Sequence, residues 1–307
     1  MQIDQLGIHD SVSAVFPPEQ LRDALADTAP AVSVVDDEGA RDCDAVVTFA
    51  YEEGFLECEW IHSIQAGYDR FPLEELEDRG IVLTNSTGIH GESVGETVLG
   101  YMLSVARRLG QYARQQERTE WNRPDWDVPF TLAGESVCVV GLGTLGRGIA
   151  TRANALGMEV TGVRRSGEPV EGVERVYTSD ELHEAISEAR FVALAVPLTE
   201  ETEELIGRTE LATMDEGSHL INVSRGSVVD QDALVSALED GEIRGAALDV
   251  FAEEPLPKDS PLWEMEEVLV TPHAAAYTRG YYEAIAGLVR GNLDRNAAGE
   301  EFENRVV

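Results

Sequence analysis

Three segments of this sequence end an apolar, strand-like run on polar or ionisable side chains. Ile221-Asn222-Val223-Ser224-Arg225-Gly226 carries an arginine, Leu248-Asp249-Val250-Phe251-Ala252-Glu253-Glu254-Pro255 carries carboxylates, and Val270-Thr271-Pro272-His273 ends on a histidine. In an open parallel sheet the residues just beyond the carboxyl ends of strands face the ligand crevice. Arg225, Glu254 and His273 are therefore expected to converge there, and a guanidinium, a carboxylate and an imidazole are suited to anion binding and proton transfer. Each alone has a plain structural explanation: an ion pair, a Glu-Pro turn, a helix cap.

What lifts them above that reading is a fourth segment. Gly141-Leu142-Gly143-Thr144-Leu145-Gly146 matches G-x-G-x-x-G, follows the apolar run Val137-Cys138-Val139-Val140 and opens a helical stretch at Arg147. In that context the pattern is a dinucleotide fingerprint. Gly141 permits the tight turn, Gly143 lets the backbone approach a pyrophosphate, and Gly146 allows close helix–strand packing. The N–H groups at Thr144 and Leu145 open a helix whose positive dipole end faces the phosphates. At the end of the next strand, 23 positions after Gly141, an NAD-preferring site would carry an acidic residue; this chain has Arg164-Arg165-Ser166. Two guanidinium groups and a hydroxyl bind a 2′-phosphate that a carboxylate would repel. The expected cofactor is NADP(H), with NAD weaker.

The elements that must position these residues alternate between short β-type runs and longer helical patterns, as in a parallel sheet covered by helices on both faces. Strands are expected at Ala45–Phe49, Trp60–Ile64 and Ile81–Thr84. A long amphipathic helix follows from Ser93, with Val94, Val98, Tyr101, Met102, Val105, Leu109 and Tyr112 on one face. It runs into the loop Trp121–Trp126. Strands resume at Ser136–Val140, Glu159–Val163, Phe191–Val196, His219–Val223, Gly245–Leu248 and Val268–Val270. A last helix near Tyr281–Leu293 comes after this second set is complete and is expected to return to the first. The domains expected are 1–96 with 273–307, and 97–272.

Composition narrows the partners. The 307 residues include 58 acidic and 23 basic side chains, a formal net charge of −35, with Lys258 as the sole lysine. Such a surface repels phosphate backbones and anionic lipids, so neither nucleic acid nor a membrane is an expected partner. It reads as adaptation to a salt-rich cytoplasm, where high acidity keeps a protein hydrated. Cys43, Cys58 and Cys138 form no CxxC pair, so no disulfide framework or zinc site is expected, and Cys138 reads as a small buried hydrophobe. No secretory leader or membrane span is legible, and a cytoplasmic location is the expectation. His62, His90 and His219 read as structural or surface residues.

The ordered set Gln65-Ala66-Gly67-Tyr68-Asp69, Thr84-Asn85-Ser86, the glycine loop, Val196-Pro197-Leu198-Thr199 with Thr202, and the Arg225, Glu254 and His273 segments resembles the D-isomer-specific 2-hydroxyacid dehydrogenase family. With the acidic composition, the chain looks like a haloarchaeal-type member. The resemblance spans about residues 40 to 290. It implies an α/β protein with two Rossmann-like or flavodoxin-like domains with parallel sheets, the substrate (catalytic) domain formed by both chain ends and the other binding the dinucleotide. It places the family's catalytic residues on Arg225, Glu254 and His273. Arg225 would bind the substrate carboxylate and polarise the ketone, His273 would act as acid/base, and Glu254 would orient His273. The resemblance further implies that backbone N–H groups of Ala66 and Gly67 hold the carboxylate. Tyr51 and Tyr277 become candidate pocket residues. Val196, Pro197, Thr202, Val223, Ser224, Asp249, His273 and Ala275 lie beside the cofactor on this reading. Two departures stand out: Arg164 replaces the acidic ribose ligand of NAD-using members, and His273-Ala274-Ala275-Ala276-Tyr277-Thr278 replaces a glycine-rich segment.

The expected activity is hydride transfer between NADP(H) and a 2-oxo acid/D-2-hydroxy acid pair, in a homodimer. Formate or phosphite dehydrogenases on the same fold are alternatives, as is a non-catalytic nucleotide-sensing protein like the corepressors that share it. Phosphoglycerate dehydrogenases usually carry an added regulatory domain, and within these 307 residues no such domain is expected.

Overall fold

The computed structural model describes residues 1–307, which divide into two compact units: residues 1–89 with 277–307, and residues 90–276. The first unit contains β1 (Gln5–His9), α1 (Pro18–Ala24), β2 (Ala31–Val35), β3 (Ala45–Thr48), β4 (Trp60–Ser63), α2 (Leu73–Arg79) and β5 (Val82–Thr84). Its five strands are parallel in the order β2-β1-β3-β4-β5, the flavodoxin-like arrangement. Strands β1 and β2 had no counterpart among the expected elements. Alternate residues point to opposite faces: Leu6, Ile8, Ala45 and Val47 join one apolar cluster, while Val46, Ile61 and Leu83 join another. The chain end pairs with β5, Val306 N–H donating to Leu83 O at 2.8 Å.

The second unit opens with α3 (Gly91–Ala106) and α4 (Leu109–Glu117), followed by β6 (Ser136–Val140), α5 (Thr144–Ala155), β7 (Glu159–Val163), β8 (Arg175–Tyr177), α6 (Leu182–Ser187), β9 (Phe191–Leu194), α7 (Arg208–Leu211), β10 (His219–Asn222), α8 (Gln231–Glu239), β11 (Gly245–Leu248) and β12 (Val268–Val270). All seven strands are parallel, in the order β12-β11-β10-β9-β6-β7-β8. Strand order reverses between β6 and β9, so the glycine loop after β6 sits at the topological switch point of a Rossmann-type sheet. Val137 and Val139 pack with α3 and α5 on one face, whereas Cys138 and Val140 pack with α6 and α8 on the other. Strands buried on both faces read as continuous apolar runs, which is why these were legible.

Two expectations need correction. The single helix from Ser93 to Tyr112 is interrupted: Arg108 adopts a left-handed φ of 58°, ending α3 and starting α4, and Leu109 and Tyr112 are exposed rather than part of the buried stripe. The unit boundaries fall at 89/90 and 276/277, not 96/97 and 272/273. The first turns of α3 belong to the second unit because its glycines dock on α5: a Cβ at Gly95 would stand 2.5 Å from Gly148 O, and one at Gly148 only 1.8 Å from Gly91 O. Residues 273–276 stay with that unit because Thr97 Oγ1 donates to Ala275 O at 2.9 Å and Ala275 N–H donates to Asp249. The C-terminal helix, Tyr281–Ala298, packs against α1 in the first unit and runs a turn beyond its expected end.

Candidate active site

At the carboxyl end of β10, Asn222 organises the turn that presents Arg225. Its Oδ1 accepts from Ser224 N–H at 3.0 Å and Ser224 Oγ at 2.7 Å, while its Nδ2 donates to Arg225 O at 3.0 Å. Arg225 Nη1 donates to Ser224 O at 2.8 Å. The next residue must be glycine: a Cβ at Gly226 would stand 1.8 Å from the carbonyl carbon of Phe251 and 2.3 Å from Ala252 N. The arginine turn therefore lies directly on the backbone that leads to Glu254.

Beyond β11, Asp249 is 2% exposed and spends both carboxylate oxygens on one loop. Oδ1 accepts from Thr271 Oγ1 at 2.6 Å and Ala274 N–H at 2.9 Å, and Oδ2 accepts from Ala275 N–H at 2.9 Å. Tyr101 OH reaches Thr271 Oγ1 at 2.6 Å and Asp249 Oδ1 at 3.4 Å. His273 lies inside this loop with φ of 51°, its N–H donating to Asp249 O at 2.8 Å. Positive φ is uncommon for any residue with a Cβ, and the bonds on either side of it hold it there. The ring then meets Glu254: His273 Nδ1 is 2.8 Å from Glu254 Oε2, while Glu254 Oε1 accepts from Phe251 N–H at 3.1 Å. Both side chains remain partly open to solvent, at 32% and 28%. A carboxylate accepts only, so this hydrogen bond places the His273 proton on Nδ1 and leaves Nε2 outside the pair.

The glycine loop has the shape its sequence suggests. Gly141 has φ of 97°, and a Cβ there would collide with Ala195 O at 2.6 Å; one at Gly146 would stand 1.8 Å from Gly141 O. At Gly143 nothing lies within 4 Å of the same point, and no side chain caps the helix Thr144–Ala155 that begins there. Close backbone contacts on two sides with an open approach on the third fit a phosphate-bearing ligand at a helix N-terminus. Thr202 Oγ1 donates to Pro197 O at 2.6 Å and accepts from Thr199 N–H at 2.8 Å, closing the loop that begins at Val196. After β7, Arg164 lies 3.7 Å from Glu168, Arg165 is exposed, and Ser166 Oγ is 3.4 Å from the same carboxylate.

The remaining candidates lie in the first unit. Asn85 Nδ2 donates to Ala66 O at 2.7 Å and Ser86 N–H to Gln65 O at 3.0 Å, fixing the Gln65–Gly67 turn after β4. Tyr51 packs edge-on against Phe55 and Phe71, and burial pushes its phenol pKa up. Tyr277 is exposed, its ring 6.3 Å from that of Tyr281. His62 is fully buried between Thr84 Oγ1 and Ser86 Oγ, and His90 and His219 are buried too, so none of the three is a surface residue.

Known proteins resemble the chain across its length. Residues 99–275 match the family model described as D-isomer specific 2-hydroxyacid dehydrogenase, NAD binding domain. A glyoxylate reductase from Korarchaeum cryptofilum is 35% identical over 298 residues, covering 92% of this chain and 89% of the relative. The chain belongs to the D-isomer specific 2-hydroxyacid dehydrogenase family. Among solved structures, a family member from Xanthobacter autotrophicus in complex with NADPH aligns with a TM-score of 0.82 at 29% identity, over 100% of this chain and 98% of that one. An NADPH-dependent glyoxylate/hydroxypyruvate reductase from Sinorhizobium meliloti in complex with NADP aligns at 0.84 and 25% identity, over 99% and 98%.

For a 2-hydroxyacid dehydrogenase of this kind, the structure adds residues that sequence reasoning passed over. Asn222 shapes the arginine turn, Gly226 brings it onto the glutamate segment, and Thr271 and Tyr101 brace Asp249. Gly226 carried the only visible signal, a glycine directly after an arginine at a strand end. Tyr101 was legible only as one more apolar position on a helix.

Proposed function

We propose that this chain is an NADP(H)-preferring reductase that converts small 2-oxo acids to D-2-hydroxy acids. The observation that carries the reading is the His273–Glu254 pair, with Nδ1 held at 2.8 Å on a loop that Asp249 fixes. Glu254 stabilises the imidazolium and fixes which nitrogen faces the reaction, leaving Nε2 to give a proton to the oxygen as the ketone is reduced. Arg225, planar and permanently charged, binds the substrate carboxylate and draws electron density from the adjacent carbonyl. Hydride for the carbonyl carbon is what a bound nicotinamide supplies. In the oxidative direction Nε2 is the base that accepts the hydroxyl proton.

The Gly141–Gly146 turn is the proposed pyrophosphate cradle, with Val196, Pro197, Thr202, Val223, Ser224 and Ala275 as neighbours of the cofactor. Asp249 acts there by holding the Thr271–Ala275 loop. Arg164, Arg165 and Ser166 form the proposed 2′-phosphate site, which would displace the weak Arg164–Glu168 pair at 3.7 Å. In the first unit, Ala66, Gly67, Tyr51 and Tyr277 are the proposed substrate-binding residues. The protein is proposed to work in concentrated salt as a homodimer, using the exposed residues of α4 and the Trp121–Trp126 loop. Both indoles are over 90% exposed.

The test is a rate assay in molar KCl with NADPH against glyoxylate, hydroxypyruvate and longer aliphatic 2-oxo acids. Turnover of at least one, giving the D product, is expected. Tight cofactor binding without turnover of any would overturn the reading in favour of a nucleotide sensor.

A further inference from the structure

The carboxyl ends of the β6–β12 sheet carry the catalytic side chains, but a second cluster gathers at the amino ends of β9, β10 and β11. Arg190 immediately precedes β9, Ser218 immediately precedes β10, which His219 opens, and Arg244 immediately precedes β11. Parallel register stitches these positions side by side: His219 N–H donates to Arg190 O at 3.0 Å and Arg244 N–H to Ser218 O at 2.8 Å. The left-handed residue between α3 and α4, Arg108, joins them, and the segment ending at Phe130 is tied to α3 by Phe130 N–H donating to Ala106 O. Together Arg108, Arg190, Arg244, His219, Phe130 and Asp127 line most of a cavity of about 240 Å³.

Three features of this cavity need an explanation that packing does not supply. In a chain of net charge −35, three guanidinium groups surround one small space with a single carboxylate, Asp127, in its lining. Arg190 is 4.0 Å from Glu135 and rests on the Phe130 ring at 4.7 Å, Arg108 Nε donates to Gln111, and Arg244 makes no ion pair. Of the four buried side-chain polar atoms in the chain without a hydrogen-bond partner, three belong to this edge: Arg190 Nε, Ser218 Oγ and His219 Nδ1. His219 is 95% buried and Ser218 fully so. Buried polar atoms are nearly always satisfied, and a cluster of orphans beside converging cations points to an anion with several acceptor oxygens. Dispersing the chain's few cations over its acidic surface would have gained more solvent-screened attraction; gathering them here costs mutual repulsion unless a counter-charge is bound.

We propose that this cavity is an anion site for a phosphate group, carried by a small phosphate ester or by inorganic phosphate, on the edge of the sheet opposite the catalytic residues. Arg108, Arg190 and Arg244 supply charge and N–H donors, and His219, which also lines the cavity, adds an Nδ1–H donor. Four strand residues at about 3.3 Å each separate this edge from the catalytic one, so an occupant touches neither His273 nor the glycine loop. It acts on the second unit by bracing the start of three central strands. The volume exceeds that of a phosphate group and leaves room for a short organic arm.

The test uses the full chain in molar KCl, where long-range attraction is screened and only contact-range binding survives. Melting temperature is followed as inorganic phosphate, glycerol phosphate and malonate are added at constant ionic strength. The wild type is compared with Arg244→Ala, with Arg108→Ala, and with an Arg164→Ala/Arg165→Ala control that removes the other candidate phosphate site. A saturable rise with phosphate or the ester is expected in the wild type and in the control. Half-saturation should be weaker by about tenfold or more in Arg244→Ala and Arg108→Ala, as loss of one charge-assisted contact predicts. A stronger response to the ester identifies a small phosphorylated molecule as the occupant; an equal response identifies the free ion. Retained 2-oxo acid turnover in Arg244→Ala shows that the variant is folded. Four outcomes overturn the proposal: a response to malonate alone, none to any anion, an equal response in Arg244→Ala, or a change of oligomeric state in that variant without any phosphate effect. The last would assign the arginines to carboxylates of a second copy.

Discussion

His273 sits at a positive φ and pairs Nδ1 with Glu254, and the proposed mechanism assigns Nε2 the proton transfer. His273→Ala is expected to lower kcat by roughly 10²–10⁴-fold, the usual worth of a positioned acid/base group, with cofactor affinity from fluorescence titration nearly unchanged. Comparable losses of affinity and turnover would mean the residue is structural. Arg164 and Arg165 make a second residue-scale claim. Replacing both with Ala should raise KM for NADPH about 10–100-fold, the scale of two or more charge-assisted contacts, and leave that for NADH nearly constant. Equal effects on the two cofactors would remove the 2′-phosphate argument.

Loops are the elements that decide the site. The Thr271–Ala275 loop depends on one buried carboxylate, and an amide at that position keeps one acceptor oxygen while losing the other. Asp249→Asn should therefore lower kcat with a smaller effect on KM, and it should cost about 1–3 kcal/mol of stability through the N–H or hydroxyl left unsatisfied, measurable by urea unfolding. A kcat equal to wild type would show that the loop holds His273 without Asp249. The same elements show which parts of the architecture the sequence made legible. Strands buried on both faces appeared as apolar runs, and β6, β7 and β11 fall where they were expected. Strands β1, β2 and β8 did not, because Gln5–His9 and Arg175–Tyr177 mix polar residues into short segments and β2 is largely unburied. The break at Arg108 was invisible because a non-glycine left-handed residue leaves no compositional trace.

At the scale of the whole molecule, three buried histidines make stability depend on pH. Burial lowers His62 to about 3, His90 to about 4 and His219 to about 3, with the neighbouring arginines adding to the effect at His219. In the unfolded chain each titrates near 6.5, so the native state is fully favoured above that pH and loses stability as pH falls from 6.5 toward 4, where only the unfolded chain gains protons. Between pH 6.5 and 5 the loss should approach about 1–2 kcal/mol per histidine, read from urea midpoints at fixed molar salt. A flat profile would contradict the buried, neutral state of these rings. Assembly is a further whole-molecule claim: light scattering in molar salt should give twice the chain mass of 33.5 kDa, and a monomer would refute the dimer.

Residue types and local order determined much on their own. The glycine loop at the switch point and the placement of Arg225, Glu254 and His273 beyond strand ends followed from short-range rules: a tight turn needs glycine, and an apolar run buried on both faces marks where a strand stops. Tertiary structure alone decided that Asp249 serves the His273 loop and that Gly226 lays the Arg225 turn on the Phe251–Ala252 backbone. It also decided that Arg190, Arg244 and Arg108 share one cavity. Those relations join positions tens of residues apart through strand register and side-chain direction, which a linear pattern does not encode until the sheet is assembled.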